Sequence, residues 1–98
     1  MPLFCLHCLD NETDGAERRA ATRPAHLEWA ASIGEACRMA GPLLSEEGKM
    51  IGSVFLIAAE SIEAARDLHA EDPYTKAGVF GDVRINETRW AIGEGKPA

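Results

Sequence analysis

Ala70-Glu-Asp-Pro-Tyr-Thr-Lys-Ala-Gly-Val79 separates the second predicted helix from the last predicted strand. Pro73 lacks an N–H and disfavours a helical Asp72, so an ordinary helix does not continue through this point. Asp72 is therefore expected at a helix end, where Tyr74 supplies an amphipathic anchor for the turn. Gly78 permits a backbone angle that other residues avoid. This segment is the candidate functional site of the chain, and its residues indicate a site rather than a particular substrate.

The segments on either side predict the element order β-α-β-β-α-β. Apolar composition and alternation predict four strands, at Leu3–Leu9, Ala36–Leu44, Met50–Ala59 and Val79–Ile92. Helical spacing predicts one helix from about residue 14 to Glu35, and a second helix after Ser61, a preferred N-cap residue. The first strand is almost wholly apolar, so we expect both of its faces to be buried.

The first helix carries two local signals. Asp14 followed by Glu17 resembles a capping box. Pro24 interrupts the helical pattern, so we expect a kink there, or a short helical turn followed by the main helix from about Arg23. Helical spacing places Arg23 and His26 along one edge of the apolar stripe, at the border between core and solvent.

The element order is that of the ferredoxin-like fold, an α+β arrangement in which two helices cover one face of a four-stranded antiparallel sheet. The other face is predicted to be apolar as well, and large apolar patches are unusual on monomers. We therefore expect a homodimer in which the two sheets pack face to face. The length predicts a single domain over residues 1–98, with a loose tail at residues 93–98.

Composition disfavours several classes of protein. A formal charge of −6 repels phosphate backbones, so nucleic acid is not expected as a partner. No apolar run approaches the roughly 20 residues that span a membrane, and the N-terminus lacks the pattern of a signal peptide. Three cysteines without framework spacing argue against a secreted disulfide scaffold and favour the cytoplasm.

A metal site is also disfavoured. Cys5 and Cys8 lie three residues apart in a predicted strand, so their side chains point to opposite faces. Cys5 and His7 share a face, but two ligands are too few for a zinc site. No Gly-rich phosphate loop is present, and we expect no cofactor.

Three motifs follow one another along the chain: Arg23-Pro-Ala-His-Leu27, Ala40-Gly-Pro-Leu43 with Gly52-Ser53, and Asp72-Pro-Tyr-Thr-Lys-Ala-Gly-Val79. Their order and spacing resemble the YCII-related family over essentially the whole chain. The resemblance implies a ferredoxin-like fold that dimerises into an α+β barrel, with a cleft in which His26 lies near Asp72. One departure is Asn86-Glu-Thr-Arg-Trp90, where the family often has a Pro-Trp or Pro-Phe pair at a rim of the cleft.

The resemblance also bears on activity. Most members of the family have no known reaction, a few relatives are dehydrochlorinases of chlorinated hydroxyquinols, and the wider superfamily includes muconolactone isomerases. One hypothesis is therefore a cofactor-free homodimeric enzyme that transfers a proton in an elimination or isomerisation of a small, oxygenated, cyclic anion. The alternative is a non-catalytic dimer that binds a small ligand or serves as an accessory module of another enzyme.

His26 and Asp72 are the candidate catalytic residues. Asp72 would accept a hydrogen bond from one ring nitrogen of His26 and fix the tautomer, and the other nitrogen would act as general base or acid. The structural alternative is a hydrogen bond that only ties the turn to the first helix.

Three further residues are candidates for substrate binding. A guanidinium fork at Arg23 matches a carboxylate or phenolate, unless Arg23 is a solvated helix residue. Tyr74 and Ser53 offer hydroxyl groups to the cleft, or else serve as a turn anchor and a packing residue. We expect Arg19 to be solvated on the helix surface, and His69 to face water or to cap the packing.

Overall fold

The computed structural model describes residues 1–96, so the predicted tail at Pro97 and Ala98 lies outside the described residues. The strands are β1 (Leu3–Asp10), β2 (Cys37–Leu44), β3 (Met50–Ala58) and β4 (Phe80–Thr88). The helices are α1 (Gly15–Ser32), α2 (Ile62–Ala70) and α3 (Pro73–Lys76), with a 3₁₀ turn at Gly34–Ala36. The sheet order is β2-β3-β1-β4, and every neighbouring pair is antiparallel. The ferredoxin-like prediction is confirmed.

The core lies between the sheet and the helices. Alternate residues of β1, namely Phe4, Leu6 and Cys8, are at most 1 % exposed. Phe55 and Ile57 of β3 stand beside Leu6 and Phe4 in the antiparallel register and are equally buried. Each such side chain contributes about 1.5–3 kcal/mol to folding through removal of apolar area from water.

The opposite face of the sheet is more open. Leu3, Cys5 and Leu9 are half-buried and His7 is exposed. The prediction that β1 is buried on both faces is therefore wrong for a single chain, because the helices cover only the Phe4 side of the strand. A row of residues across this open face runs from Met39 through Leu56 and Cys5 to Asn86.

Helix α1 is continuous, and Pro24 lies inside it. The main helix therefore does not begin at Arg23. Pro24 is exposed, as is Ala20, so the Ala20 carbonyl that loses its usual helical donor at Pro24 lies on the solvent side. The unbroken helix keeps Arg19, Arg23 and His26 on one side, at helical positions i, i+4 and i+7.

The turn before α1 differs from the predicted capping box. Asp14 makes no side-chain capping bond and instead pairs with Arg18 at 2.9 Å. Asn11 Oδ1 accepts hydrogen bonds from the backbone N–H groups of Thr13 and Asp14, at 3.0 and 2.8 Å. An asparagine turn of this kind satisfies the backbone just before α1, while the first turn of the helix has no side-chain cap.

The later boundaries follow their local signals more closely. Ser61 Oγ accepts a hydrogen bond from the Ala64 N–H at 3.1 Å, which confirms the predicted N-cap of α2. Strand β4 ends at Thr88, four residues before the predicted end at Ile92. Within the described part of the predicted loose tail, the Lys96 N–H donates to the Gly93 carbonyl at 3.1 Å.

Among the helices of residues 1–96, none combines the length and apolar composition that crossing a bilayer requires.

Candidate functional site

The segment that begins at Asp72 forms a short helix that periodicity does not predict. Pro73 occupies the first turn of α3, where its missing N–H costs nothing. Asp72 caps this helix by accepting a hydrogen bond from the Tyr74 N–H at 2.9 Å. Gly78, at φ 74°, ends the segment in a left-handed conformation that suits glycine. The proline and the cap therefore hold the Asp72 carboxylate in a fixed position.

Asp72 meets His26 in the interior. His26 Nδ1 lies 2.8 Å from Asp72 Oδ1, and Asp72 is fully buried while His26 is 9 % exposed. An ionised carboxylate can only accept hydrogen bonds, so Nδ1 carries the proton and donates it. This tautomer leaves the lone pair on Nε2, the ring nitrogen available to react.

A cavity of about 220 Å³ lies beside His26. Its lining includes Arg23 and His26 of α1, Ser53 of β3 and Tyr74 of α3. Gly41 and Pro42 of β2 line the same cavity, and Pro42 stands opposite Ser53 in the sheet. All three motifs found in the sequence therefore contribute residues to one cavity, which we call the His26 cleft.

The Asp72 carboxylate is only partly satisfied by protein groups. Oδ1 accepts from both His26 and Tyr74, whereas Oδ2 is buried without a hydrogen-bond partner among the described residues. A buried polar group is costly unless it is hydrogen-bonded. The bonds from His26 and Tyr74 therefore compensate only one of the two carboxylate oxygens.

Tyr74 lies flat against the His26 ring. The ring centroids are 3.9 Å apart, with an angle of 10° between the planes. The Arg19 guanidinium carbon lies 4.7 Å from the centroid of the same Tyr74 ring. Tyr74 is thus fixed by aromatic and cation–π contacts, which in turn restrict the orientation of His26.

Arg19 is a buried structural residue rather than a solvated one. It is 5 % exposed, and its guanidinium binds Asp10 in a bidentate pair with distances of 2.8 and 2.6 Å. Burial alone would lower the pKa of Arg19, but the hydrogen bonds and charge of Asp10 outweigh burial and raise it. The expectation of surface solvation is wrong because Asp10, at the end of β1, lies under α1.

Arg23 has a different environment. It is exposed, and its only polar side-chain contact within residues 1–96 is a long one, 3.9 Å from Nη1 to the Met50 sulfur. No carboxylate pairs with it in that part of the chain. Its charge is therefore available to a ligand in the His26 cleft, whereas the charge of Arg19 is already paired.

His69 of α2 forms a second buried group that the sequence did not reveal. It is 5 % exposed and stacks on Phe80 with the centroids 5.6 Å apart. Its Nε2 lies 3.5 Å from the Cys8 sulfur and 3.4 Å from Thr75 Oγ1. Burial lowers the pKa of His69, and the Asp72 charge opposes this effect only in part. The spacing of His69 four residues after the buried Ala65 could have indicated a core position.

The cysteines provide no reactive thiolate beside this site. Burial, and secondly the charge of Asp72, raises the pKa of Cys8 to about 12. A thiol with so high a pKa stays protonated at neutral pH and is a poor nucleophile. Within residues 1–96, no three His, Cys, Asp or Glu side chains converge in a way that could hold a metal ion.

The segment that ends at Trp90, where the family resemblance implies a rim of the cleft, lines a different cavity in this chain. Trp90 lines a separate cavity with Met1 and Pro2 and takes no part in the His26 cleft of this chain. The strand ends at Thr88, two residues before Trp90.

Known proteins resemble this chain in sequence. The chain is 31 % identical over 91 residues to the protein YciI of Escherichia coli O6:H1, covering 85 % of this chain and 92 % of that protein. It is 39 % identical over 71 residues to the protein named "Derivative of benzaldehyde biosynthesis cluster protein C" of Emericella nidulans, covering 63 % of this chain and 72 % of that protein.

Among solved structures, the chain resembles the 5-chloro-2-hydroxyhydroquinone dehydrochlorinase of Burkholderia phenoliruptrix in complex with 2,5-dihydroxybenzoquinone. The TM-score is 0.81 at 26 % identity, and the match covers 97 % of this chain and 99 % of the other. The family model of the YCII-related domain matches residues 2–89. Because that match spans nearly the whole chain, this protein belongs to the YCII-related family.

Proposed function

We propose that this chain is a small enzyme that uses His26 and Asp72 to move a proton on a small, oxygenated, cyclic anion. The observation that carries the proposal is the hydrogen bond of 2.8 Å between His26 Nδ1 and Asp72 Oδ1 at a cavity that His26 lines. The dehydrochlorinase that resembles this chain acts on a chlorinated hydroxyhydroquinone, which supports a hydroxylated ring as the substrate class.

The proposed chemistry is general-base catalysis followed by elimination or isomerisation. His26 Nε2 accepts a proton from the ring or its hydroxyl group, and the released electron pair forms a new double bond. In an elimination, the leaving group departs with its own electron pair, so that a chlorinated substrate loses HCl overall. In an isomerisation, the proton returns to another carbon of the same molecule.

The surroundings of His26 support the charge changes in this step. The Asp72 carboxylate stabilises the imidazolium that forms when Nε2 is protonated, and the face of Tyr74 offers the same cation a favourable contact. Arg23 is the proposed contact for the anionic oxygen of the substrate. Ser53, which is 4 % exposed and lines the cleft, is proposed as a second polar contact.

A non-catalytic role is the alternative, and one observation favours it. Asp72 also caps α3, so its bond to His26 ties α1 to the following turn whether or not the protein turns over a substrate. In that case the cleft binds a small ligand, alone or as an accessory module of another enzyme. Binding of a hydroxylated ring without turnover would support this alternative.

A homodimer is proposed for the assembly. The open sheet face carries the half-buried Leu3, Cys5 and Leu9, and Met39 on the same face is 49 % exposed. A second copy that packs its own sheet against this face would cover these residues.

The three cysteines of the chain are free thiols, which supports the cytoplasm as the proposed location of this protein.

The experiment that tests the proposal measures chloride release from 5-chloro-2-hydroxyhydroquinone under anaerobic conditions. Wild type is compared with His26→Gln and with Asp72→Asn. Turnover by wild type that falls sharply in both variants supports the proposed roles, whereas full activity of His26→Gln would exclude His26 as the base.

A further inference from the structure

A larger groove adjoins the His26 cleft at Arg19 and Arg23. A cavity of about 570 Å³ shares two of its lining residues, Arg19 and Arg23, with the cleft. The cleft alone, at about 220 Å³, is smaller than the roughly 300–1,000 Å³ that small-molecule sites usually occupy. The adjoining cavity therefore provides room that the cleft lacks for a ligand larger than a single ring.

This adjoining cavity, which we call the α1–β3 groove, has apolar walls. Ala16 and Ala20 form the wall on α1, and Met50 and Ile51 form the opposite wall at the start of β3. Met50 is 40 % exposed and Ile51 is 43 % exposed. The two alanines leave open space along the helix, so apolar surface borders a polar cleft. Such surface next to a site is typical of a binding groove.

The charges at the groove are positive and unpaired. Arg23 and Lys49 both line it, and neither has a carboxylate partner in residues 1–96. The remaining cation of the lining, Arg19, is neutralised by Asp10. An anionic ligand is therefore favoured at the junction between the cleft and the groove.

The charge reverses beyond the apolar walls. A third cavity, of about 430 Å³, also has Met50 and Ile51 in its lining, but its other side carries Glu12, Asp14 and Glu17. These carboxylates repel an anion. A ligand with its anionic part near Arg23 would therefore extend an uncharged portion along the groove and end before the acidic cavity.

We infer that the ligand of this protein is an anionic ring with an apolar side chain, the ring in the His26 cleft and the side chain in the α1–β3 groove. The inference rests on the proposed function for the position of the ring, and it adds the substituent. The occupant of the groove is thus part of the substrate itself, because the groove and the cleft share Arg23.

The test compares two probes, 2,5-dihydroxy-1,4-benzoquinone and its 3-hexyl derivative, by isothermal titration calorimetry on the full chain. The hexyl compound is expected to bind wild type about tenfold more tightly, since its chain leaves water for an apolar wall. Ala20→Trp fills the groove, and on this variant the two compounds should bind within about twofold of each other. Ala21→Trp is the matched control, because Ala21 is exposed on α1 and is absent from the lining of the groove. This control should retain the tenfold difference.

Amide NMR shifts separate the outcomes. The hexyl compound should shift the amide signals of Ala16, Ala20 and Ile51, whereas the parent ring should shift signals of the cleft only. Shifts in the cleft by both compounds, with equal affinities, would overturn the inference and leave the proposed function standing. No shifts in the cleft by either compound would overturn both. If the amide signals of the groove residues changed on dilution alone, and the hexyl chain gave no gain in affinity, a second copy would be shown to cover the groove. That result would also overturn the inference.

Discussion

His26 and Asp72 are 46 residues apart in the chain, and a hydrogen bond of 2.8 Å joins them in the interior. The bond connects the middle of α1 to the residue that caps α3. Because the cap and the stacked Tyr74 fix both partners, the His26 ring is oriented before any ligand arrives. Preorganisation of this kind would favour the proposed role of His26 as a general base, because the ring needs no reorientation before proton transfer.

The first prediction separates the structural role of Asp72 from its charge. Asp72→Ala removes the cap and the bond to His26, so it should lower the free energy of unfolding by about 2–4 kcal/mol. Asp72→Asn keeps an oxygen that can accept from Tyr74, so its loss should be about 1 kcal/mol, while turnover falls at least tenfold. Urea denaturation measures the first quantity and chloride release the second.

Asp67→Asn is the control for this pair of variants, because Asp67 is exposed on α2 and its substitution removes the same unit of charge. It should change neither stability nor turnover. If Asp72→Asn lost stability but kept full turnover, Asp72 would be a structural residue only.

The second prediction concerns the buried ion pair between Arg19 and Asp10. Arg19→Ala leaves the Asp10 carboxylate buried without its partner, so the free energy of unfolding should fall by about 3 kcal/mol or more. Lys76→Ala breaks an ion pair with Glu71 whose side chains are 60 % and 67 % exposed, and the loss should stay below about 1 kcal/mol. Equal losses in the two variants, measured by urea denaturation, would contradict the assignment of Arg19.

The third prediction is a pH dependence of stability due to His69. Burial lowers the pKa of His69 in the folded chain below the unfolded value of 6.5. As the pH falls below 6.5, His69 binds a proton in the unfolded chain but not in the folded chain, so the free energy of unfolding decreases. One such group contributes at most about 1.4 kcal/mol per pH unit. Urea denaturation at pH 7.5 and pH 5.5 should therefore show a smaller acid loss in His69→Gln than in wild type. An equal decrease in the free energy of unfolding between pH 7.5 and pH 5.5 in both proteins would contradict the role of His69.

The fourth prediction concerns the reactivity of Cys8. Its side chain is fully buried and its pKa is raised to about 12, so iodoacetamide at pH 8 should leave Cys8 unmodified in the native protein. The same reagent should modify it in urea. Peptide mass spectrometry measures the extent of labelling at each cysteine. Native labelling of Cys8 as fast as that of the half-buried Cys37 would contradict the burial.

The fifth prediction is the assembly. Light scattering at micromolar concentration should give the mass of two chains, and Met39→Asp should give the mass of one, because a carboxylate on the open sheet face opposes burial by a partner. Ala21→Asp is the control, since Ala21 is exposed on α1, on the side of the sheet that the helices cover. A wild type with the mass of one chain would contradict the proposed homodimer, and also the proposal that a second copy covers the open sheet face.

The elements that follow from local chemistry could be predicted from the sequence. The apolar composition of Leu3–Leu9 predicted strand β1, although not which of its faces is buried, and Ser61 predicted the start of α2. The motif resemblance paired His26 with Asp72, which no periodicity could have done, because the two residues meet only when α1 and α3 pack. The catalytic roles of both residues stay predictions.

The predictions that are wrong concern residues whose contacts come from other segments of the chain. Arg19 looks like a surface residue in the helical pattern, and only the packing of α1 over the end of β1 brings it to Asp10. The capping box at Asp14 does not form: Asn11 Oδ1, three residues earlier, accepts from the Asp14 N–H that Glu17 would have bonded, and the Asp14 carboxylate pairs with Arg18. His69 has the spacing of a core residue, and of the two alternatives, facing water or capping the packing, the structure excludes water because Cys8 and Thr75 lie beside its buried ring.

The measurement to make first is the rate of chloride release from 5-chloro-2-hydroxyhydroquinone by wild type and by His26→Gln, with the uncatalysed rate in buffer subtracted. Circular dichroism confirms that the variant is folded. Loss of a general base should lower the rate by about 100-fold or more, so wild type should release chloride at least about 100-fold faster than His26→Gln. A folded His26→Gln that releases chloride as fast as wild type would contradict the role of His26 as the base.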